Sequence, residues 1–226
     1  MSTSKQKQQS GFSLLELIIA MGITITLMTA ATSLLANALR IRARENQKSD
    51  ALADVQRALN IMSREIADAG FNLSSNGIVA AESGLHNIRV RTNANKYDFT
   101  ELAQSRNNVM DRGEDILYFI NEADLTKYLA RNDIFGDGST VLANRIDSLN
   151  FHYFAQKVTY TVPPGGADIT NASASEVAPA AAKYVVIAVS VTLDPVGTPG
   201  STGYQPAYSV LLCSDVTLRN ADLWNY

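Results

Sequence analysis

The sequence predicts an α+β protein: one long N-terminal helix, apolar in its first half and amphipathic in its second, packed on an antiparallel β-sheet head. Three observations predict this. No charged side chain occurs between Glu16 and Arg40. Beyond Arg44 the apolar residues recur at alternating spacings of three and four, as one face of a helix requires. All six prolines lie at Pro163 or later, and after Gly70 the pattern changes to short β-branched and aromatic runs separated by turn residues.

Composition sets the outer bounds. A length of 226 residues suits one domain with an appendage, and 46% apolar residues is enough to fill a core. The net charge of −3 is spread along the chain, which leaves no basic footprint for a nucleic acid. The single cysteine, Cys213, excludes an internal disulfide framework and reads as a small buried hydrophobe.

Residues 1–11 form a short polar leader that carries Lys5 and Lys7 and no acid. Residues 17–39 are uncharged, and at ~1.5 Å per residue a helix over them is about 34 Å long, enough to cross a hydrocarbon core of ~30 Å. Thr24, Thr26, Thr29, Thr32, Ser33 and Asn37 dilute this run toward its end, as a segment that must later leave a bilayer would tolerate.

Glu16 stands at the head of the run. An ionisable group in a membrane helix costs on the order of 3 kcal/mol at mid-bilayer and less near an interface. Cleavage between Gly11 and Phe12 would create an α-amino cation one helical turn before Glu16. A carboxylate paired with such an amine, in its own chain or a neighbour's, is satisfied in one axial register only. The plain alternative places Glu16 unpaired in the headgroup layer.

Gly11-Phe12-Ser13-Leu14-Leu15-Glu16 resembles the type IV prepilin motif, in which a basic leader ends in Gly, the mature chain starts with Phe, and its fifth residue is Glu. The resemblance implies cleavage after Gly11 by an inner-membrane prepilin peptidase, N-methylation of Phe12, and a Glu16 that neutralises a neighbour's N-terminus during assembly. Its implied partners are that peptidase, other pilins or pseudopilins, an inner-membrane assembly platform and the lipid bilayer. It also implies a single-pass inner-membrane protein with a periplasmic head, later carried into a pilus or pseudopilus at the cell surface. Charge counting alone leaves orientation open, because Arg40, Arg42 and Arg44 follow the helix directly. A secretory signal cut near Ala36-Asn37-Ala38 is the alternative reading, weakened by a long apolar region that begins with a carboxylate.

The second half of the helix carries Leu52, Val55, Leu59, Met62, Ile66 and Ala69 on one stripe, and Asp50, Asp54, Gln56, Arg57, Asn60, Arg64, Glu65 and Asp68 on the wet face. Gly70 supplies a left-handed stop. The stripe is too short for a coiled coil and ends before a strand-rich region, which favours packing on a sheet. The organisation expected is therefore a leader over 1–11, a transmembrane and assembly helix over 12–39, its amphipathic continuation over 40–70, and a globular head over 71–226.

In the head, strands are expected at 87–91, 116–120, 146–154, 158–162, 184–193 and 208–218, with 184–193 central because its apolar run is nearly continuous. Residues 163–182 read as a flexible loop, and 195–206 as the link between the last two strands. The segments 54–59, 63–71 and 216–220 resemble PilW-type minor pilins, and J-type pseudopilins of type II secretion share the general plan. The expected function is that of a minor pilin, with the pseudopilin or a non-polymerising membrane-tethered binding domain as alternatives.

Nothing marks an enzyme. His86 and His152 have no ligand-like spacing, and no metalloprotease, nucleophile-elbow, phosphate-loop or CxxC motif occurs. No cofactor is expected. Asn132, Asp133 and Asp137 are hard oxygen donors in a glycine-bearing turn that calcium could use, although an Asp-Gly turn explains them equally simply. Trp224 and Tyr226, after the last strand, close the core or contact another subunit.

Overall fold

The structure, a computed structural model, describes residues 12–94, 110–122, 127–136, 138–144, 146–201 and 203–221. Helix α1 runs from Leu14 to Ala67, 54 residues without interruption. At ~1.5 Å per residue that is about 80 Å. Every residue from Phe12 to Ala36 is exposed around the whole circumference. The threonines of this half donate to the carbonyls one turn back, Thr24 to Ala20 at 2.7 Å, Thr29 to Ile25 at 2.8 Å and Thr32 to Met28 at 2.9 Å. Their hydroxyls are thus satisfied within the helix, so they dilute the run at little cost in an apolar solvent.

The second half packs as its stripe requires. Val55, Leu59, Met62, Ile66 and Ala69 are buried, together with Ala58, and Leu52 is half-buried. Gly70 ends the helical region with φ 78°. The last carbonyls find partners from the far end of the chain: Arg219 N–H donates to Ala67 O at 3.0 Å, and the Asn220 amide donates to Asp68 O and Ala69 O at 3.2 Å.

The head contains two antiparallel sheets where one was expected. The first is a meander of β1 (Asn87–Arg91), β2 (Asp115–Asn121), β3 (Tyr128–Asp133) and β4 (Gly138–Asn144). The second has the order β5 (Ser148–Phe154), β6 (Tyr184–Leu193), β7 (Tyr208–Thr217). Helix α1 lies against β4 of one and β6 and β7 of the other. The main core combines the α1 stripe with Ile88, Tyr118, Leu129, Leu149, Phe151, Val185, Ile187 and Val189.

Strand β6 is central and covered on both faces. Val185, Ile187 and Val189 face the helix side, whereas Tyr184 and Val186 join Phe154 and Val158 in a second cluster under the β5–β6 connection. That connection corrects two expectations. Residues 158–162 form no strand, only a bridge between Thr161 and Thr170. Residues 163–182 are not a loose loop: Ser173 N–H donates to Thr159 O and Val177 N–H to Tyr153 O, both at 2.9 Å, and Ile169 and Ala174 pack on the second cluster. Strands β3 and β4 were not expected. Strand β4 is exposed along most of its length, so it shows no buried apolar alternation to read.

Candidate assembly site on the N-terminal helix and its grip on the head

The assembly site expected from sequence is built on the first turn of α1. Ser13 occupies the N-cap with extended backbone (φ −71°, ψ 142°), and Leu17 N–H donates to its carbonyl at 3.2 Å. Glu16 lies in that first turn, where the helix dipole favours a negative charge. It is exposed, as are Phe12 (85%) and Leu14 (76%). Among the described residues no basic side chain pairs with Glu16. Gly11 and the rest of the leader lie outside the described residues.

A family model described as the prokaryotic N-terminal methylation motif matches residues 6–32. That span holds Gly11, Phe12 and Glu16 and most of the exposed apolar half of α1. The N-terminus is that of a type IV prepilin-like protein. No curated protein and no solved structure matches the chain. The motif implies processing by a prepilin peptidase and assembly with other pilins or pseudopilins. The prepilin-like helix is long and apolar enough to cross a membrane, and none of its most apolar window is buried inside the protein.

Where α1 leaves the apolar run, the head takes hold of it. Along the described part of α1, Asn37, Arg40 and Arg44 are the first residues to lose exposure, and their spacing puts them on one face. Arg44 is 7% exposed, and its guanidinium donates to the carbonyls of Asp194 and, at 3.0 Å, of Pro206. It therefore ties both ends of the β6–β7 loop to the helix. Arg40 reaches Ser201 Oγ at 3.4 Å. Gly203, at φ 80°, lies so close to Asn37 that a Cβ there would collide with the Asn37 side chain.

Further along α1, Glu65 departs from the expected wet face. Its carboxylate accepts from the Tyr118 hydroxyl of β2 and from Arg131 of β3, whose Nε and Nη2 each lie 3.0 Å from a carboxylate oxygen. Ser63 and Ser214 Oγ atoms meet at 2.7 Å, a direct link from α1 to β7. Burial, followed by the Glu65 charge and hydrogen bond, pushes the Tyr118 phenol well above its ordinary value. It stays a donor at any physiological pH.

Two ionic groups organise the head itself. Asp115, fully buried, receives Arg89 at 2.6 and 2.8 Å and Arg91 at 2.8 Å. Burial alone raises its carboxyl, but the hydrogen bonds from Arg89 and Arg91 outweigh that and hold it below the usual carboxylate range. His152 on β5 lies between Glu176, 2.8 Å from Nδ1, and Asp168, 2.7 Å from Nε2. Burial opposes its charge, yet the bonds to Glu176 and Asp168 outweigh it and raise its pKa.

Two of the three donors named for calcium lie in the described residues. Asn132 and Asp133 are consecutive in β3, so they point to opposite faces, and Asp133 Oδ2 accepts from Gly113 N–H at 2.8 Å. Asp137 lies outside the described residues. Among the described residues no group of three or more His, Cys, Asp or Glu side chains is placed to hold a metal ion. Cys213 is half-buried on β7 rather than fully buried, and burial pushes its thiol up to about 11, so it remains protonated. Trp224 and Tyr226 lie outside the described residues.

Arg44, Glu65, Arg131 and His152 were missed as positioning residues by sequence reasoning. The missing exposure of Arg44 is the only one with a local signal: an arginine in phase with Asn37 and Arg40 on one helix face.

Proposed function

We propose that this prepilin-like chain is a minor pilin, PilW-like, that takes part in assembly or tip priming of a type IV pilus. It is cut between Gly11 and Phe12, methylated on the Phe12 amine, and held in the inner membrane by residues 12–39 with its head in the periplasm. Glu16 then pairs with the N-terminal amine of a neighbouring subunit as the apolar stems stack. The head works by contact, without catalysis or cofactor.

The observation that carries the reading is an uncharged helix half, exposed through Ala36, headed by Glu16 and lying for most of its length within the methylation motif. An apolar surface of that length is stable in only two settings, a bilayer or a bundle of like helices. A carboxylate at its head suits the second, because the acid needs a partner whose position is set by stacking.

A J-type pseudopilin of a secretion system is the second reading, supported by the same motif and helix. The test for either is the N-terminal sequence and mass of the mature protein: Phe12 as first residue with one added methyl group is expected, and retention of residues 1–11 overturns the proposal. Glu16→Ala then separates a subunit from a simple tether. A subunit loses incorporation into filaments, whereas a tether inserts at least as well.

A further inference from the structure

The described residues of the β6–β7 loop, 195–201 and 203–206, lie at the point where α1 emerges from its apolar run. Three features of it belong together. The first is axial level. Gly203 touches Asn37, two residues before the uncharged run ends at Leu39, and Ser201 and Gly197 lie against Arg40. A run of about 34 Å exceeds a hydrocarbon core of ~30 Å by only a few ångströms. A loop at the level of Asn37 to Arg40 therefore falls in the headgroup layer when residues 17–39 span.

The second feature is chemistry. Residues 195–206 contain no charged side chain, so nothing in the loop resists partial desolvation. Tyr204 lies in the loop, and Tyr208, 52% exposed, opens β7 just beyond it. Tyrosine, with an apolar ring and a polar tip, favours the membrane–water boundary. Arg42, exposed at the same level, supplies a cation for lipid phosphates.

The third is rigidity. The loop is braced by a bridge between Val196 and Gln205, with N–H···O distances of 2.9 and 3.0 Å in the two directions. Ser201 N–H donates to Thr198 O at 3.0 Å and Tyr204 N–H to Ser201 O at 3.1 Å. Arg44 fastens both of its ends to α1. Thr198, Pro199 and Gly200 within it are nonetheless exposed. The loop is a preformed foot with an uncovered sole.

We propose that the β6–β7 loop rests on the lipid headgroup layer of an anionic bilayer while the chain is membrane-held, and so fixes the height and tilt of the head above the membrane. This rests on the membrane-anchor part of the function proposed above. A lipid surface is favoured over a protein partner because the loop continues the membrane-crossing run in space and is charge-free beside an exposed arginine.

The test is depth-dependent quenching of tryptophan fluorescence in the full chain. It is reconstituted in phosphatidylethanolamine–phosphatidylglycerol vesicles whose acyl chains carry bromine near the headgroup or near the bilayer centre. Trp224→Phe removes the native fluorophore. Thr198→Trp then reports on the loop, with Pro199→Trp as a second probe should the first fail to fold, and Met28→Trp reports on the middle of the span. At the loop, a blue-shifted emission quenched more by shallow than by deep bromine is expected, with the reverse order at Met28→Trp. A loop probe that emits as in water, or is shielded but unquenched by either lipid because a second copy covers it, overturns the proposal while a deep-quenched Met28→Trp leaves the anchor standing. Loss of quenching at Met28→Trp as well removes the anchor and the proposal together.

Discussion

Arg131 of β3 holds Glu65 of α1 in a forked ion pair, Nε to Oε2 and Nη2 to Oε1 both at 3.0 Å, with the two side chains each 20% exposed. The pair fixes the rotation of the long helix over the first sheet, and the Tyr118 hydroxyl completes the set of donors on the same carboxylate. A helix whose apolar half must meet other helices depends on this rotation, because it decides which side of the stem faces away from the head.

Glu65→Ala should therefore destabilise the head by about 2 kcal/mol, since the remaining guanidinium and phenol lose their acceptor in a mostly dry seam. Tyr118→Phe should cost about 1 kcal/mol, as only one hydrogen bond is lost. Urea unfolding of the detergent-solubilised chain measures both. A Glu65→Ala, Arg131→Ala cycle should show strong coupling, and simple additivity would mean that the two side chains do not hold each other.

The Asp115 carboxylate is held below its usual range, so the sign of its pH dependence follows directly. Its contribution is fully present above the ordinary carboxyl pKa of about 4 and is lost as pH falls through the depressed value. Asp115→Asn leaves Arg89 and Arg91 facing a neutral amide in the interior and should cost about 3 kcal/mol near neutral pH. The same variant should unfold less steeply with acid than the parent, read by thermal melting between neutral and strongly acid buffers.

His152 behaves with the opposite sign. Its pKa is raised, so the stability it contributes is complete below the ordinary value of about 6.5 and declines as pH rises through the higher folded value. The two carboxylates that hold it, Asp168 and Glu176, both lie in the β5–β6 connection. Limited proteolysis within residues 163–182 should accelerate on going from mildly acid to mildly alkaline buffer. In His152→Gln the rate should be high and nearly independent of pH over that window.

Arg44 ties Asp194 and Pro206 to α1 through backbone carbonyls alone. Arg44→Met keeps the apolar stem and removes the donors. Hydrogen exchange at the Val196 and Gln205 amides should quicken, while the amides of β6 keep their protection. Unchanged exchange at those two positions would show that the loop holds its place without the guanidinium.

Several elements are legible in the sequence alone. The two halves of α1 rest on local facts, an absence of charge and a three-four spacing, and both are properties of neighbouring residues. Strand β6 was legible for the same reason, since a continuous apolar run has to be covered on both faces. The β3–β4 hairpin was not. Strand β3 ends in Arg131, Asn132 and Asp133, polar residues that belong in a strand only because Arg131 meets Glu65 and Asp133 meets the Gly113 N–H. Neither partner is visible from the strand's own sequence.

The amino-acid sequence by itself determined the prepilin-like motif, the membrane-length run and the amphipathic stripe, because each is a periodicity or composition written within a few turns of chain. Only the tertiary structure decided that the head forms two sheets, that Glu65 faces inward, that His152 is clamped by a connection that looked loose, and that the β6–β7 loop reaches back to Asn37. Each of these joins groups far apart along the chain, and such pairings are selected by packing and the satisfaction of buried polar groups rather than by local preference.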